Sequence, residues 1–355
     1  MNDANQLNSL CACHPGRRGF LTSMAAGAAA LAAPATFAAT PKPAKGAKRR
    51  RIDVHHHLLP KSYVDAIVSR RAGEPPRPWS PAQSLEDMDK NDIATSVLSA
   101  IQPGVWFGDV ELGRKLSREL NEYAAKLGAD HPGRYGSFAA IPLPDTEGSL
   151  REIEYALDTL KADGIGLMTS YGDKWLGDRA FWPVMEELNR RKAVVYTHPL
   201  APDCCRSLAY DMPASSIEYA TDTTRTVGSL LFSGTVAKFP DIRFIVSHSG
   251  GTTPFLTGRF ERLEAGMKNA KERLPNGVMH ELKKLYYDTA QGNTPMQLAA
   301  LLKLVTPAQM LFGSDFPFRP GEEVVAGLAA QRFHPRDLQA IERGNALRLM
   351  PRLPA

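Results

Sequence analysis

Arg51-Ile52-Asp53-Val54-His55-His56-His57-Leu58-Leu59-Pro60 reads as a short buried strand that ends in a cluster of imidazoles. Side chains alternate faces along a strand, which predicts Asp53, His55 and His57 on one side and Ile52, Val54 and His56 on the other. Two imidazoles on one face, two residues apart, can hold one metal ion side by side. Pro60 then ends the ladder, because it has no N–H to donate. The competing interpretation is a polar strand end with a chance histidine run. Histidine supplies only 9 of 355 residues, so three in succession after an apolar strand favour the metal.

Outward from this stretch, strand-like runs alternate with helix-like ones. The strand candidates are 52–57, 94–100, 136–142, 164–169, 193–198, 242–248, 285–289 and 309–315. They are short and largely apolar, as strands covered on both faces should be. Amphipathic stretches lie between them at 112–129, 149–161, 181–191, 223–239, 295–304 and 321–330, and 334–349 reads as a final helix. Eight strands alternating with helices predict an α/β chain folded as a (β/α)8 TIM barrel. An open doubly wound sheet is the runner-up, but no Gly-x-Gly-x-x-Gly turn follows any strand. A chain of 355 residues with 43% hydrophobic content suits one barrel plus extensions. No internal repeat or second domain is evident. The longest irregular pieces, 71–81, 103–108, 171–177 and 200–216, would sit over the barrel mouth.

In such a barrel, chemistry sits where strands end. The first strand offers His55 and His57, the fifth Thr197-His198-Pro199, the sixth Ser247-His248-Ser249-Gly250-Gly251, and the eighth Gly313-Ser314-Asp315-Phe316-Pro317. Three neutral imidazoles and one carboxylate suit a borderline divalent metal such as Zn²⁺, with a position left for water. The ion would lower the pKa of that water to about 7. His56 faces away and reads as structural. His14, His131, His280 and His334 fall in an N-terminal leader, a loop or helical stretches and are assigned no chemistry. Asp288 ends the seventh strand; it either hydrogen-bonds a ligand histidine or caps the next helix.

These residues resemble the amidohydrolase-related family that includes 2-amino-3-carboxymuconate-6-semialdehyde decarboxylase and the resorcylate-type decarboxylases. Ile52 to Pro60, Leu85-Glu86-Asp87-Met88-Asp89, Thr197-His198-Pro199, His248-Ser249-Gly250-Gly251, Gly258-Arg259 and Gly313-Ser314-Asp315-Phe316-Pro317-Phe318 carry the likeness. It implies His55, His57, His198 and Asp315 as metal ligands. It implies His248 as the catalytic histidine that positions or deprotonates metal-bound water. Arg259 matches an arginine that reaches a neighbouring subunit's substrate, which implies a homodimer. The family's binuclear relatives carry a modified lysine at the end of the fourth strand; Ile165-Gly166-Leu167-Met168-Thr169 has none, so one metal is expected. The chain departs from the pattern at Ser249, where the family has glycine, and in its shorter first loop. Arg77 beside Trp79 is the nearest candidate there for a carboxylate clamp with a stacking wall. Arg319 replaces an apolar residue after Asp315 and could also meet an anion.

Composition narrows the partners. Lys plus Arg number 43 against 38 for Asp plus Glu, giving +5, and part of that excess lies in the first 51 residues. No basic surface argues for nucleic acid or a membrane, and a small-molecule substrate is expected. Of four cysteines, Cys11 and Cys13 lie in the leader, and the adjacent Cys204 and Cys205 read as ordinary loop thiols. Gly16-Arg17-Arg18-Gly19-Phe20-Leu21 and the soft apolar run 22–38 resemble a twin-arginine export signal ending near Ala39. The alternative is a disordered alanine-rich tail. The expected organisation is a signal over 1–39, a linker over 40–50 and the barrel over 51–355, exported to the periplasm or beyond. The expected activity is decarboxylation of a small unsaturated or aromatic acid by metal-bound hydroxide assisted by His248. A hydrolase of a lactone, ester or amide would use the same residues, and an exported metal-binding protein with a dead site is the non-enzymatic alternative.

Overall fold

The computed structural model describes residues 50–70, 76–202, 205 and 212–354. The expected export signal and most of the linker lie outside them, as does Cys204. The predicted strands are all present: β1 Arg51–His57, β2 Ile93–Ser99, β3 Tyr135–Ala140, β4 Gly164–Met168, then β7 Val194–His198, β8 Arg243–Val246, β9 Tyr286–Asp288 and β10 Met310–Leu311, with a small hairpin, β5 Ser170–Tyr171 and β6 Lys174–Trp175, between them. The eight barrel strands follow one another in the order β1-β2-β3-β4-β7-β8-β9-β10. Their pairings are parallel throughout. The ring closes just beyond β10, where Val54 N–H donates to Phe312 O at 2.9 Å and Asp315 N–H donates to His55 O at 2.8 Å. This is a TIM barrel; the open-sheet alternative has no such closure.

The barrel holds two apolar layers. Ile52, Val54, Val97, Phe138, Val194, Tyr196, Ile245 and Leu311 fill the lumen, and Leu349, Met350 and Leu353 from the chain's end plug its lower opening. Outward-facing Leu98, Ile165, Val195, Val246 and Phe312 pack against the helices, for instance on Leu116, Val184, Val227 and Leu301. Burying each such side chain contributes roughly 1.5–3 kcal/mol.

Departures from the expected elements have physical reasons. The first connection forms two helices, Lys61–Ser69 and Pro81–Lys90, the second capped by Ser80 Oγ on the N–H of Gln83. The stretch 171–177, expected to be irregular, contributes to the hairpin, which Gly172 allows by turning at φ +63°. Helix Thr253–Gly266 buries only Thr253, so it leaves no apolar stripe to find. The final helix breaks into Pro335–Gln339, a wide turn Ala340–Gly344 and Asn345–Leu349. The wide turn frees the carbonyl of Ile341 to accept from Phe312 N–H at 3.0 Å. Among the described residues, no helix is long and apolar enough to cross a membrane.

Candidate metal centre

A register irregularity between Asp53 and His56 decides what β1 presents. Simple alternation predicted Asp53 beside His55 and His57. Instead Ile52 and Val54 face the lumen cluster, and Asp53 Oδ2 lies 3.0 Å from Nδ1 of His56. The kink then returns His55 and His57 to the mouth of the barrel, as a bulge re-aims side chains near a site.

There the Nε2 atoms of His55 and His57 lie 3.2 Å apart, and Oδ1 of Asp315 is 3.1 and 3.0 Å from them. One ligand-type atom each from His55, His198, His248 and Asp315 falls within 4.8 Å of the others. All five side chains are buried. The structure therefore brings together the residues singled out at four separate strand ends.

The outward nitrogens show which atoms face the cup. His55 Nδ1 lies 2.9 Å from Asp288 Oδ2, and His198 Nδ1 lies 2.8 Å from Pro199 O. A carboxylate and a carbonyl only accept, so these Nδ1 atoms carry hydrogen, and each Nε2 is the nitrogen left to face the cup. His57 Nδ1 faces Ser99, 3.2 Å from its Oγ and 3.4 Å from its carbonyl. Two nitrogens on a tetrahedral Zn²⁺ would stand roughly 3.3 Å apart, close to the His55–His57 separation. On this donor set and geometry, the residues fit one divalent cation.

Electrostatics agree. Burial lowers the pKa of His198 far below the ordinary imidazole range, and neighbouring His57 and His55 lower it further. Burial also lowers His57. Burial opposes charge on Asp315, but His55 and the other imidazoles outweigh it and hold the carboxyl well below its usual range. His55 is the exception: burial would lower it, yet Asp288 and Asp315 push it up to about 10. An anionic acceptor on either side of that ring is the environment a cation would occupy.

Asp288 resolves its two sequence alternatives in favour of the ligand contact. Besides holding His55, its Oδ1 accepts from the N–H of His248 and of Ala290, both at 3.0 Å. His248 begins a run of left-handed residues, with φ +54° there, +55° at Ser249, +78° at Gly250 and +60° at Gly251. A Cβ at Gly251 would stand 2.1 Å from Ala220 O, so only glycine fits. Ser249 survives in this turn because its Oγ donates to Gly292 O at 3.0 Å and to Asp288 O at 3.3 Å. The turn aims His248 Nε2 at Asp315 Oδ2, 3.5 Å away, with no hydrogen-bond partner among the described residues.

Asp315 is thus two-sided: Oδ1 meets the β1 imidazoles, while Oδ2 faces His248 and accepts a hydrogen bond from Gln291 Nε2. Gln291 was missed in the sequence. Its only signal is position, three residues past Asp288 at a strand end, and it sits at φ +46°. Gln291→Leu should weaken metal binding roughly 10–100-fold, as loss of an outer partner of a ligand does; a chelator competition titration reads this directly.

A cavity of about 570 Å³ opens over the cup, lined by His198, Asp315 and Gln291 with Arg77 and Arg319. Phe318 and Tyr219 also line it. Their rings meet His57 at 5.8 Å and His198 at 6.4 Å. Arg77 makes no ion pair with a described residue, whereas Arg319 lies 3.6 Å from Glu323 in solvent. Trp79 does not join them; it lines a neighbouring groove with Arg77 and packs on Tyr123 at 6.2 Å. Arg259 is exposed on the Thr253–Gly266 helix, away from this chain's own cavity.

A parallel eight-stranded barrel with buried imidazoles and a carboxylate converging at its strand ends is the architecture of the amidohydrolases. The Amidohydrolase family profile matches residues 52–352, and the chain belongs to that family as an enzyme of its superfamily. It is 36% identical to a 6-methylsalicylic acid decarboxylase of Penicillium expansum, over 85% of this chain and 97% of that one. It is 37% identical to a decarboxylase of Penicillium terrestre, covering 85% and 95%. The 2-amino-3-carboxymuconate-6-semialdehyde and gamma-resorcylate decarboxylases that its motifs resemble are further relatives. Among solved structures it is similar in fold to a manganese-bound 5-carboxyvanillate decarboxylase of Novosphingobium aromaticivorans, with TM-score 0.78, 18% identity and coverage of 87% and 98%.

Proposed function

We propose that the protein is a mononuclear, metal-dependent decarboxylase of a small aromatic hydroxy acid of the salicylate kind. The observation that carries this is the cavity over the cup, whose lining includes the rings of Phe318 and Tyr219 and Arg77, which has no ion-pair partner among the described residues. A flat anionic ring needs both, whereas a lactone or ester hydrolase needs no cation opposite the metal. The relatives named as decarboxylases support the same choice.

His55, His57, His198 and Asp315 would hold the cation. When bound, it would act as an electrophile toward the oxygens of the substrate. Arg77 pairs with the carboxylate or ring hydroxyl and turns the ring toward the cup. Phe318 and Tyr219 exclude water from its faces. As the bond to the carboxylate breaks and CO₂ leaves, the ring carbon gains a proton, and His248 Nε2 stands within reach to hold or move it. Zn²⁺ suits the donor set; the manganese of the related fold is the competing ion.

Metal-loaded protein offered 6-methylsalicylate, 2,6-dihydroxybenzoate and muconate-type acids, beside a panel of lactones and esters, tests the proposal. Release of CO₂ from a hydroxybenzoate is expected. Turnover confined to lactones or esters would replace the lyase with a hydrolase.

We further propose a homodimer built on the Thr253–Gly266 face. Phe255 on that helix and Met296 at the start of Pro295–Leu304, a helix that packs against it, are each 85% exposed. Exposed side chains of this size at a barrel mouth mark an interaction surface, and Arg259 stands among them. Phe255→Glu should shift sedimentation velocity from dimer to monomer; an unchanged sedimentation coefficient would remove this assignment.

A further inference from the structure

Behind the cup lies a second cluster of polar side chains that the reaction does not use. His56 Nε2 is 2.8 Å from Ser84 Oγ, and its Nδ1 is 3.0 Å from Asp53 Oδ2. Tyr135 Oη donates to Ser84 Oγ at 2.9 Å. Asp53, His56 and Ser84 are each 0% exposed. A serine, a histidine and an aspartate in this order resemble a hydrolytic triad, but no substrate can reach Ser84.

What the cluster does touch is the backbone of two metal-binding segments. Asp53 Oδ1 accepts from His55 N–H at 3.0 Å and from Ser314 N–H at 2.9 Å. Its Oδ2 accepts from Ser314 Oγ at 2.5 Å. One carboxylate therefore fixes the spacing between His55 and the residue preceding Asp315. That carboxylate only accepts, so His56 Nδ1 carries the hydrogen facing it and His56 Nε2 accepts from Ser84. Phe316 stacks on the imidazole at 4.8 Å with 17° between planes, holding the ring in register with Asp53.

We propose that His56 is a positioning residue for the metal centre. Anchored through Ser84 and Tyr135 to the outer wall, it holds Asp53 in the orientation that keeps His55 and Asp315 at ligand spacing. The proposal rests on the metal reading of the cup and adds to it a buried relay that sets the affinity.

The test compares His56→Leu, His56→Asn and Ser84→Ala in the full-length protein. Zn²⁺ affinity is read by competition with a chromogenic chelator, coordination geometry by the visible absorption of Co²⁺-substituted protein, and stability by thermal melting without metal. Asparagine returns a donor near the Nδ1 position; leucine fills space without one. His56→Leu should weaken Zn²⁺ binding roughly 10–100-fold and alter the Co²⁺ bands, while His56→Asn restores most of both. Ser84→Ala should weaken binding less. A His56→Leu protein that melts earlier but binds Zn²⁺ with unchanged affinity and spectrum would overturn the proposal. Should His56→Leu fail to fold, Ser84→Ala removes a single hydrogen bond and little volume, and wild-type affinity in that variant would overturn it equally. A wild-type protein that binds neither ion would instead overturn the metal reading.

Discussion

Replacing His198 with alanine is expected to strip the protein of its metal, from about one equivalent per chain to near zero by elemental analysis, and to abolish turnover with it. His198 is the last residue of β7, 3% exposed, with its outward nitrogen committed to Pro199 O. Of the other imidazoles in the cup, His248 turns its Nε2 toward Asp315 Oδ2, not toward the Oδ1 that His55 and His57 approach. Loss of one of four donors leaves a site that binds through two imidazoles of one strand and a single carboxylate oxygen. Two equivalents in the wild type would contradict the mononuclear assignment, which also rests on the absence of lysine from β4, Gly164–Met168. Retention of one tight equivalent in His198→Ala would move the site elsewhere.

The second large effect is of the opposite kind. His248→Ala should keep its metal and lose roughly 10²–10⁴ in kcat, the range a positioned proton-transfer group supplies. The reasoning is geometric. His248 Nε2 faces Asp315 Oδ2, the oxygen turned away from the His55–His57 pair. Three imidazoles and Oδ1 would supply four donors without it, with a further position left for substrate or water. Metal analysis beside steady-state kinetics separates the outcomes. If metal content falls with activity, His248 is a ligand; if activity survives, it moves no proton.

The barrel was legible because parallel strands buried on both faces must be apolar runs, and each run here is bounded by polar residues. The residues that converge on the cup were legible because they end those runs. What stayed hidden depends on contacts distant in sequence or on broken periodicity. Asp53 was placed on the wrong face because a register shift in β1 has no signature in a string of residues that alternates well. The Thr253–Gly266 helix leaves Phe255 and Leu263 exposed and buries only Thr253, so no single apolar stripe marks it. Gln291 matters only because the loop after β9 folds back onto Asp315. Trp79 was drawn toward the substrate by its closeness in sequence to Arg77, but its indole packs on Tyr123, a contact with a helix more than forty residues further along the chain.

The seam between the first and last strands carries a consequence for biosynthesis. His57 and Asp315 are separated by 258 positions in sequence yet stand 3.0 Å apart. During translation the early histidines emerge long before their carboxylate partner. The ion can be captured with full affinity only after nearly the entire polypeptide has left the ribosome. Loading through these residues would therefore be a late event, a truncated or stalled nascent chain holding the imidazoles without their carboxylate partner.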